Sequence, residues 1–168
     1  MPIIETKRLF LENAAVADSA FFLALMNSST WLKFIGDRGV YSETLAKAYI
    51  KERLIHSYVE HGFGLWKMVE KQHLLPIGVC GLVKRDFLAH ADLGFALLPA
   101  YEGQGYAIEA ANATLFYAMN HLKLNPIMAL TSQENERSRK LLLKIGMHGI
   151  GTVRPSKDSE ELLLFSTP

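Results

Sequence analysis

At 168 residues, with 49% hydrophobic and 21% charged residues, the chain has the usual size of one domain and is long enough to bury a continuous core. A net charge of +1 excludes the overall basic field of a nucleic-acid or anionic-membrane binder. No apolar run approaches the roughly 20 residues of a bilayer span, and the N-terminus lacks the charged-then-apolar order of a secretory signal. The expectation is therefore a single cytoplasmic domain, residues 1–168, with no nucleic-acid or membrane partner.

In chain order, Lys7 to Asn13 reads as a strand and Val16 to Asn27 as a helix. Ser42 to Glu60 reads as a longer helix, with Ser42 as N-cap and Glu43 in its first turn. Gly64 to Glu70 and Ile77 to Lys84 are strands separated by a loop of hairpin length, and Ala91 to Leu98 is the next. The single cysteine, Cys80, lies in the apolar run Ile77 to Val83 and reads as a small core residue; it excludes an internal disulfide framework. From Gly105 to Leu122, Ile108, Ala111, Leu115, Ala118, Met119 and Leu122 follow helical spacing. Pro126 to Thr131 is then a short strand, Asn135 to Gly146 a helix, and Gly149 to Val153 and Glu161 to Ser166 the closing strands. The whole reads as a mixed α/β sheet packed between helices.

The most informative segment is Leu98-Pro-Ala-Tyr-Glu-Gly-Gln-Gly-Tyr-Ala-Ile-Glu-Ala110, a glycine turn between a strand and a long helix. Gly103 and Gly105 remove the Cβ atoms that keep a ligand from the backbone, and the first helical turn leaves N–H donors without internal partners. With the helix dipole, these donors suit a phosphate or pyrophosphate. A tight turn of purely steric origin is the competing reading. The Gly-Lys-Ser/Thr ending of a Walker loop and the third glycine of a dinucleotide fingerprint are both absent.

This stretch resembles the acyl-CoA pyrophosphate loop of the GNAT superfamily of N-acetyltransferases, Gln/Arg-x-x-Gly-x-Gly/Ala, which falls here on Glu102-Gly103-Gln104-Gly105-Tyr106-Ala107. Glu102 departs from the pattern, and its side chain is expected to point to solvent, away from the anion. Asn135 to Met147 resembles the family's Asn-x-x-Ser-x-x-Leu-x-x-Lys-x-Gly-Phe helix, with Met147 in place of Phe. Glu5 to Leu11 and Phe34 to Gly39 resemble the ribosomal-protein-alanine/serine N-acetyltransferase-like branch. The likeness covers about residues 3 to 166.

The resemblance implies a central twisted mixed sheet of about seven strands with helices on both faces, the fourth and fifth strands splaying to admit the pantetheine arm of acetyl-CoA. It implies cofactor contacts at Gly103, Gln104, Gly105, Tyr106 and Ala107, and an oxyanion donor among the main-chain N–H groups of Ala96, Leu97 and Leu98. Acetyl transfer to an amine needs a free lone pair, stabilisation of the developing oxyanion and a proton for the departing thiolate. Many relatives use a tyrosine for that proton, and none occurs between Asn135 and Gly146, so Ser138 is the candidate for a contact with sulfur. Asn135 is a pantetheine partner or an N-cap, two roles that are compatible. Asp92, on the same strand face as Gly94, Ala96 and Leu98, is the candidate base, with a solvated strand-end aspartate as the alternative. Arg137, Arg139, Lys140 and Lys144 form either a phosphate-attracting cluster or an ordinary solvated face.

For the acceptor side the resemblance points to Trp31, Phe34, Ile35, Asp37 and Arg38, Asp37 suiting an ammonium and Arg38 a carboxylate or phosphate. The alternatives are a core role for the aromatics and a plain turn at Asp37-Arg38-Gly39. The six histidines lack His-Glu-x-x-His and Cys/His spacings, so no metal is expected, and no Gly-x-Ser-x-Gly elbow suggests a covalent intermediate. The implied activity is acetyl-CoA-dependent N-acetylation of a protein N-terminal α-amine or a small-molecule amine in a ternary complex. The rivals are a non-catalytic acyl-CoA sensor and, less compatible with the motifs, a nucleotide-binding domain. Homodimers are common among such folds.

Overall fold

The computed structural model describes residues 1–168. Its strands are β1 (Ile4–Glu5), β2 (Leu9–Glu12), β3 (Leu65–Glu70), β4 (Leu75–Val83), β5 (Asp92–Leu97), β6 (Met128–Ser132), β7 (His148–Val153) and β8 (Leu162–Ser166). They form one open sheet in the order β1-β2-β3-β4-β5-β6-β8-β7. Every pairing is antiparallel except β5 with β6. The additional strand beyond the expected count of seven is β1, whose two residues are too few to display an alternation in sequence.

The helices are α1 (Ser19–Met26), α2 (Ser29–Phe34), α3 (Glu43–Tyr49), α4 (His56–His61), α5 (Tyr106–Asn120) and α6 (Glu136–Lys144). The single long helix expected over Ser42 to Glu60 is instead α3 and α4 joined by a π turn at Ile50–Ile55. Its start is as the sequence indicates: Ser42 Oγ accepts the Leu45 N–H at 3.2 Å. Its end is Gly62, whose φ of +76° is the left-handed cap that glycine adopts without strain. The expected helix from Val16 begins as a 3-10 turn, Val16–Asp18, before α1. No helix is long and apolar enough to cross a membrane.

Helices cover both faces of the sheet. On one, Ala110, Ala111, Leu115 and Ala118 of α5 and Leu142 of α6 pack on Trp66, Cys80, Leu93 and Ala129. On the other, Phe22, Leu25, Trp31, Ala46, Ile50 and Leu54 pack around Val79. Val79 and Cys80 are successive residues of β4, so strand alternation sends them into opposite cores. Cys80 is the small core residue that the sequence suggests. It is fully buried beside Thr114 Oγ1 at 3.4 Å, and burial pushes its thiol up to about 12.

Candidate active site

A cleft of about 1240 Å3 runs across the sheet from α2 and the π turn, past β5, to the glycine turn and α6. Its floor is the parting of β5 and β6. The only paired positions are Asp92 with Met128 and Leu93 with Ala129. Two hydrogen bonds fix the phase of the backbone. Leu98 N–H donates to the Ile77 carbonyl at 2.9 Å, so even-numbered residues of β5 serve the β4 ladder, and Met128 N–H donates to the Ala91 carbonyl at 2.9 Å, so odd-numbered residues face β6. Past Leu93 the strands separate, and the N–H and C=O groups of Phe95 and Leu97 face the gap without a ladder partner.

This phase sharpens the oxyanion-donor expectation. Of Ala96, Leu97 and Leu98, only Leu97 turns its N–H into the gap. Ala96 and Leu98 are corrected out of that role because their amides belong to the β4 pairing. Phe95, absent from the sequence reading, joins Leu97.

At the end of β5, Gly103 (φ +74°) and Gly105 (φ +83°) both occupy the left-handed region, which explains why two glycines stand there. Gly105 caps α5 with no side-chain cap, and the N–H groups of Tyr106, Ala107 and Ile108 open the helix beside the cleft they line. Gln104 contributes differently from the expectation. It is exposed, lies off the cleft, and its side chain donates to the Ala100 carbonyl at 3.0 Å, which stiffens the turn.

Glu102 also departs from expectation. Its carboxylate does not point to open solvent but accepts from Arg137 Nη1 at 2.9 Å, so its charge is offset by the first turn of α6. Of the expected basic cluster, Arg137, Lys140 and Lys144 line the cleft. Lys140 is paired with Glu136 at 2.9 Å, and Arg139 does not line it. Asn135 Oδ1 accepts the Ser138 N–H at 3.1 Å, the N-cap role, while both residues line the cleft. The Ser138 hydroxyl has no protein partner and is available to a ligand.

The turn is braced by residues whose role the sequence did not disclose. Glu109, on the first turn of α5, accepts from Thr6 Oγ1 at 2.7 Å, Arg8 N–H at 2.8 Å and Arg8 Nε at 2.7 Å. Arg8 Nη1 donates to the Gln104 carbonyl at 2.9 Å, and the guanidinium lies 4.2 Å over the Tyr106 ring. Burial pushes the Glu109 carboxyl up, but these bonds outweigh it and hold its pKa below the ordinary value.

Of the residues expected on the acceptor side, Trp31, Phe34, Ile35 and Arg38 line the cleft, together with Tyr49, Glu52 and Arg53 from α3 and the π turn. Asp37 does not. It is exposed and accepts from Gly39 N–H at 2.8 Å and from the Tyr41 hydroxyl, bonds that lower its pKa, so the assignment of Asp37 to an ammonium is replaced by the plain turn. Asp92 is 1% exposed and accepts from Arg85 Nε at 2.8 Å. Burial pushes its carboxyl up, against the downward pull of Arg85. Asp92 lines the cleft together with the rest of β5, Leu93 to Leu97, so lining alone does not distinguish the two faces of the strand.

Comparison with known proteins decides the family: the profile of the acetyltransferase (GNAT) domain matches residues 8–148. The chain belongs to the GNAT acetyltransferase family. This GNAT N-acetyltransferase is 26% identical over 161 residues to the uncharacterized N-acetyltransferase YoaA of Bacillus subtilis (strain 168), covering 91% of this chain and 86% of that one. The acetyltransferase from Agrobacterium tumefaciens str. C58 has the same fold, with a TM-score of 0.83 and 26% identity over 100% of this chain and 95% of that chain. The ribosomal-protein-S5-alanine acetyltransferase from Vibrio fischeri also shares it, with a TM-score of 0.81 and 18% identity over 97% of this chain and 94% of that chain. In the GNAT acetyltransferase described here, the splayed β5–β6 gap, the glycine turn and Ser138 fall in one cleft with the helices of the opposite face.

Proposed function

We propose that this GNAT acetyltransferase binds acetyl-CoA and passes the acetyl group directly to a primary amine in a ternary complex, the acceptor being a protein N-terminal α-amine or a small-molecule amine. The observation that carries this reading is the β5–β6 gap, where main-chain donors at Phe95 and Leu97 stand free beside the helix N-terminus at Gly105. The residues present suit the cofactor: the amides of Tyr106, Ala107 and Ile108 suit a pyrophosphate, and the gap suits an extended amide-bearing arm. Bound acetyl-CoA supplies an activated thioester.

The chain's own groups then divide the work. The Leu97 N–H stabilises negative charge developing on the carbonyl oxygen. With acetyl-CoA bound, Ser138 would donate a hydrogen bond to the sulfur, and the proton for the thiolate would come from solvent or from the attacking nitrogen, which must lose one to become the amide, because a serine hydroxyl is a poor acid. Asp92 accepts the proton of the arriving ammonium, a role favoured by its burial-raised pKa. The Arg85 contact favours a second role, in which Asp92 holds that guanidinium in place. The pH profile of Asp92→Asn separates them: as a base it governs the acidic limb of kcat/KM, and as an anchor it leaves that limb unchanged. The expected setting is one cytoplasmic domain, where a reduced thiol such as Cys80 is the ordinary state.

The test is calorimetry with acetyl-CoA and, on the same protein, thiol release with N-terminal peptides, amino acids and polyamines. Binding with release supports transfer and identifies the acceptor class. Binding without release across the panel supports the acyl-CoA sensor instead, and no binding overturns the cofactor assignment.

A further inference from the structure

The acceptor wall carries more positive charge than it can satisfy internally. Arg38 and Arg53 both line the cleft, and neither has a carboxylate within salt-bridge distance or a hydrogen-bond acceptor. Arg85 spends its Nε on Asp92, and its terminal nitrogens have no protein partner. These three guanidiniums line the same cleft as Tyr49, whose hydroxyl burial pushes up while all three pull it down. The carboxylates along the same wall besides Asp92 are Glu52 and Asp86, and neither forms a salt bridge.

Two further observations point to a ligand. Trp31 is 5% exposed and lines the cleft, yet its Nε1 donor has no acceptor, a vacancy that proteins seldom leave in their own packing. The π turn is the other. It lies at Ile50–Ile55 within the helix face that brings Tyr49, Glu52, Arg53 and His56 to the cleft at the ordinary i, i+3, i+4, i+7 spacing, and such turns recur at functional positions. Guanidiniums present fixed forks that match carboxylate and phosphate oxygens.

We infer that the acceptor is a small primary amine bearing its own anionic group, a carboxylate or phosphate, held by Arg38, Arg53 and Arg85 in this cleft. This rests on the transferase reading above. It separates the acceptor classes by charge: a polyamine meets three guanidiniums of its own sign, whereas an amino acid or an aminoalkyl phosphate pairs with them. Glu52, which lines the same cleft and forms no salt bridge, is the carboxylate available to the ammonium end of such a zwitterion.

The experiment uses one scaffold with its charge varied: serine, O-phosphoserine, serinamide and seryl-alaninamide, with spermidine as the cationic extreme. Acetyl transfer is followed by thiol release, and binding of each compound to the protein saturated with CoA is measured by calorimetry. The expected result is a preference of about tenfold or more in kcat/KM for serine or O-phosphoserine over serinamide. The ranking of those two acids tells carboxylate from phosphate. Arg53→Gln and Arg38→Gln, both at exposed positions where folding is not at risk, are expected to raise KM for the acid about tenfold while leaving acetyl-CoA affinity and the thermal midpoint unchanged. Binding of the anionic compounds without turnover upholds the anion site and overturns the transferase reading. Turnover that is equal for serinamide, or best for spermidine or seryl-alaninamide, upholds the transferase and overturns the anion site. Absence of both anion binding and anion preference overturns the inference outright.

Discussion

The two ends of the cleft are built from different materials. At the proposed cofactor end the available groups are main-chain: the amides of Phe95 and Leu97 in the β5–β6 gap and the first amides of α5, exposed by glycines with φ of +74° and +83°. At the proposed acceptor end they are side chains, Trp31, Arg38, Tyr49, Arg53 and Arg85, carried on helices and loops. A main-chain site holds its shape through changes of side chain, and it recognises what is common to every reaction of the family. A side-chain site can be rewritten by single substitutions and recognises what is particular. The same division governs how each half should respond to mutation.

The largest effect is expected at the turn. In Gly105→Ala an L-residue is forced to a φ of +83°, with its Cβ 3.2 Å from Arg8 Nη2. The free turn relaxes away from this geometry, and binding must restore it at a cost of about 1–2 kcal/mol, so acetyl-CoA affinity should fall about tenfold by calorimetry. Undiminished affinity would break the claim that the cofactor end depends on backbone shape. Next is Ser138→Ala, where a side chain serves the cofactor end. Loss of a hydrogen bond to developing thiolate charge should lower kcat about tenfold. Acetyl-CoA affinity should hold, because the Ser138 N–H stays bonded to Asn135.

Glu109→Gln tests the brace behind the turn and should weaken acetyl-CoA binding only a few-fold, with a loss of about 1 kcal/mol in thermal stability as charge-assisted bonds become neutral ones. Its pH dependence has a definite sign. The folded-state pKa of Glu109 is lowered, so its contribution is present above the ordinary value of 4.5 and is lost as pH falls below it. The substituted protein should therefore lose less stability than the parent across that acidic range. The smallest effect is expected for Asp37→Asn, which changes an exposed turn off the cleft. KM and kcat for any amine should stay within about twofold, the ordinary tolerance of a surface site.

The unequal legibility of the two halves has the same origin. Gly103, Gly105 and Asn135 could be read from sequence because a backbone turn demands glycine at fixed spacing and a helix start demands a cap, whereas Ser138 was singled out only by the motif that its helix resembles. The strand alternation likewise placed Asp92, Gly94 and Ala96 on one face. Parity along β5 was not accessible, since it depends on which neighbour each amide addresses, and so Phe95 went unnamed while Ala96 and Leu98 were proposed in its place. Arg53 and Tyr49 were hidden for another reason. Tyr49, Glu52, Arg53 and His56 share one face at ordinary helical spacing, but that spacing does not say whether the face meets solvent, the core or a cleft. Glu102 was misjudged because its partner, Arg137, lies 35 residues away; for Asp37 the sequence left open both a binding role and the turn that the structure shows, because the two compete in any Asp-x-Gly sequence.

The brace at Glu109 makes the glycine turn something other than a portable motif. Its anchors, Thr6 and Arg8, lie 103 and 101 residues earlier in the chain. During synthesis those anchors emerge long before the segment they hold, and they wait with their bonds unmade until α5 has been translated. The same dependence bears on transplantation: residues 98 to 110 grafted onto another scaffold would carry both glycines but leave behind the clamp that keeps them in register. The cofactor end of this enzyme is thus a product of chain closure, shared between its first strands and its middle.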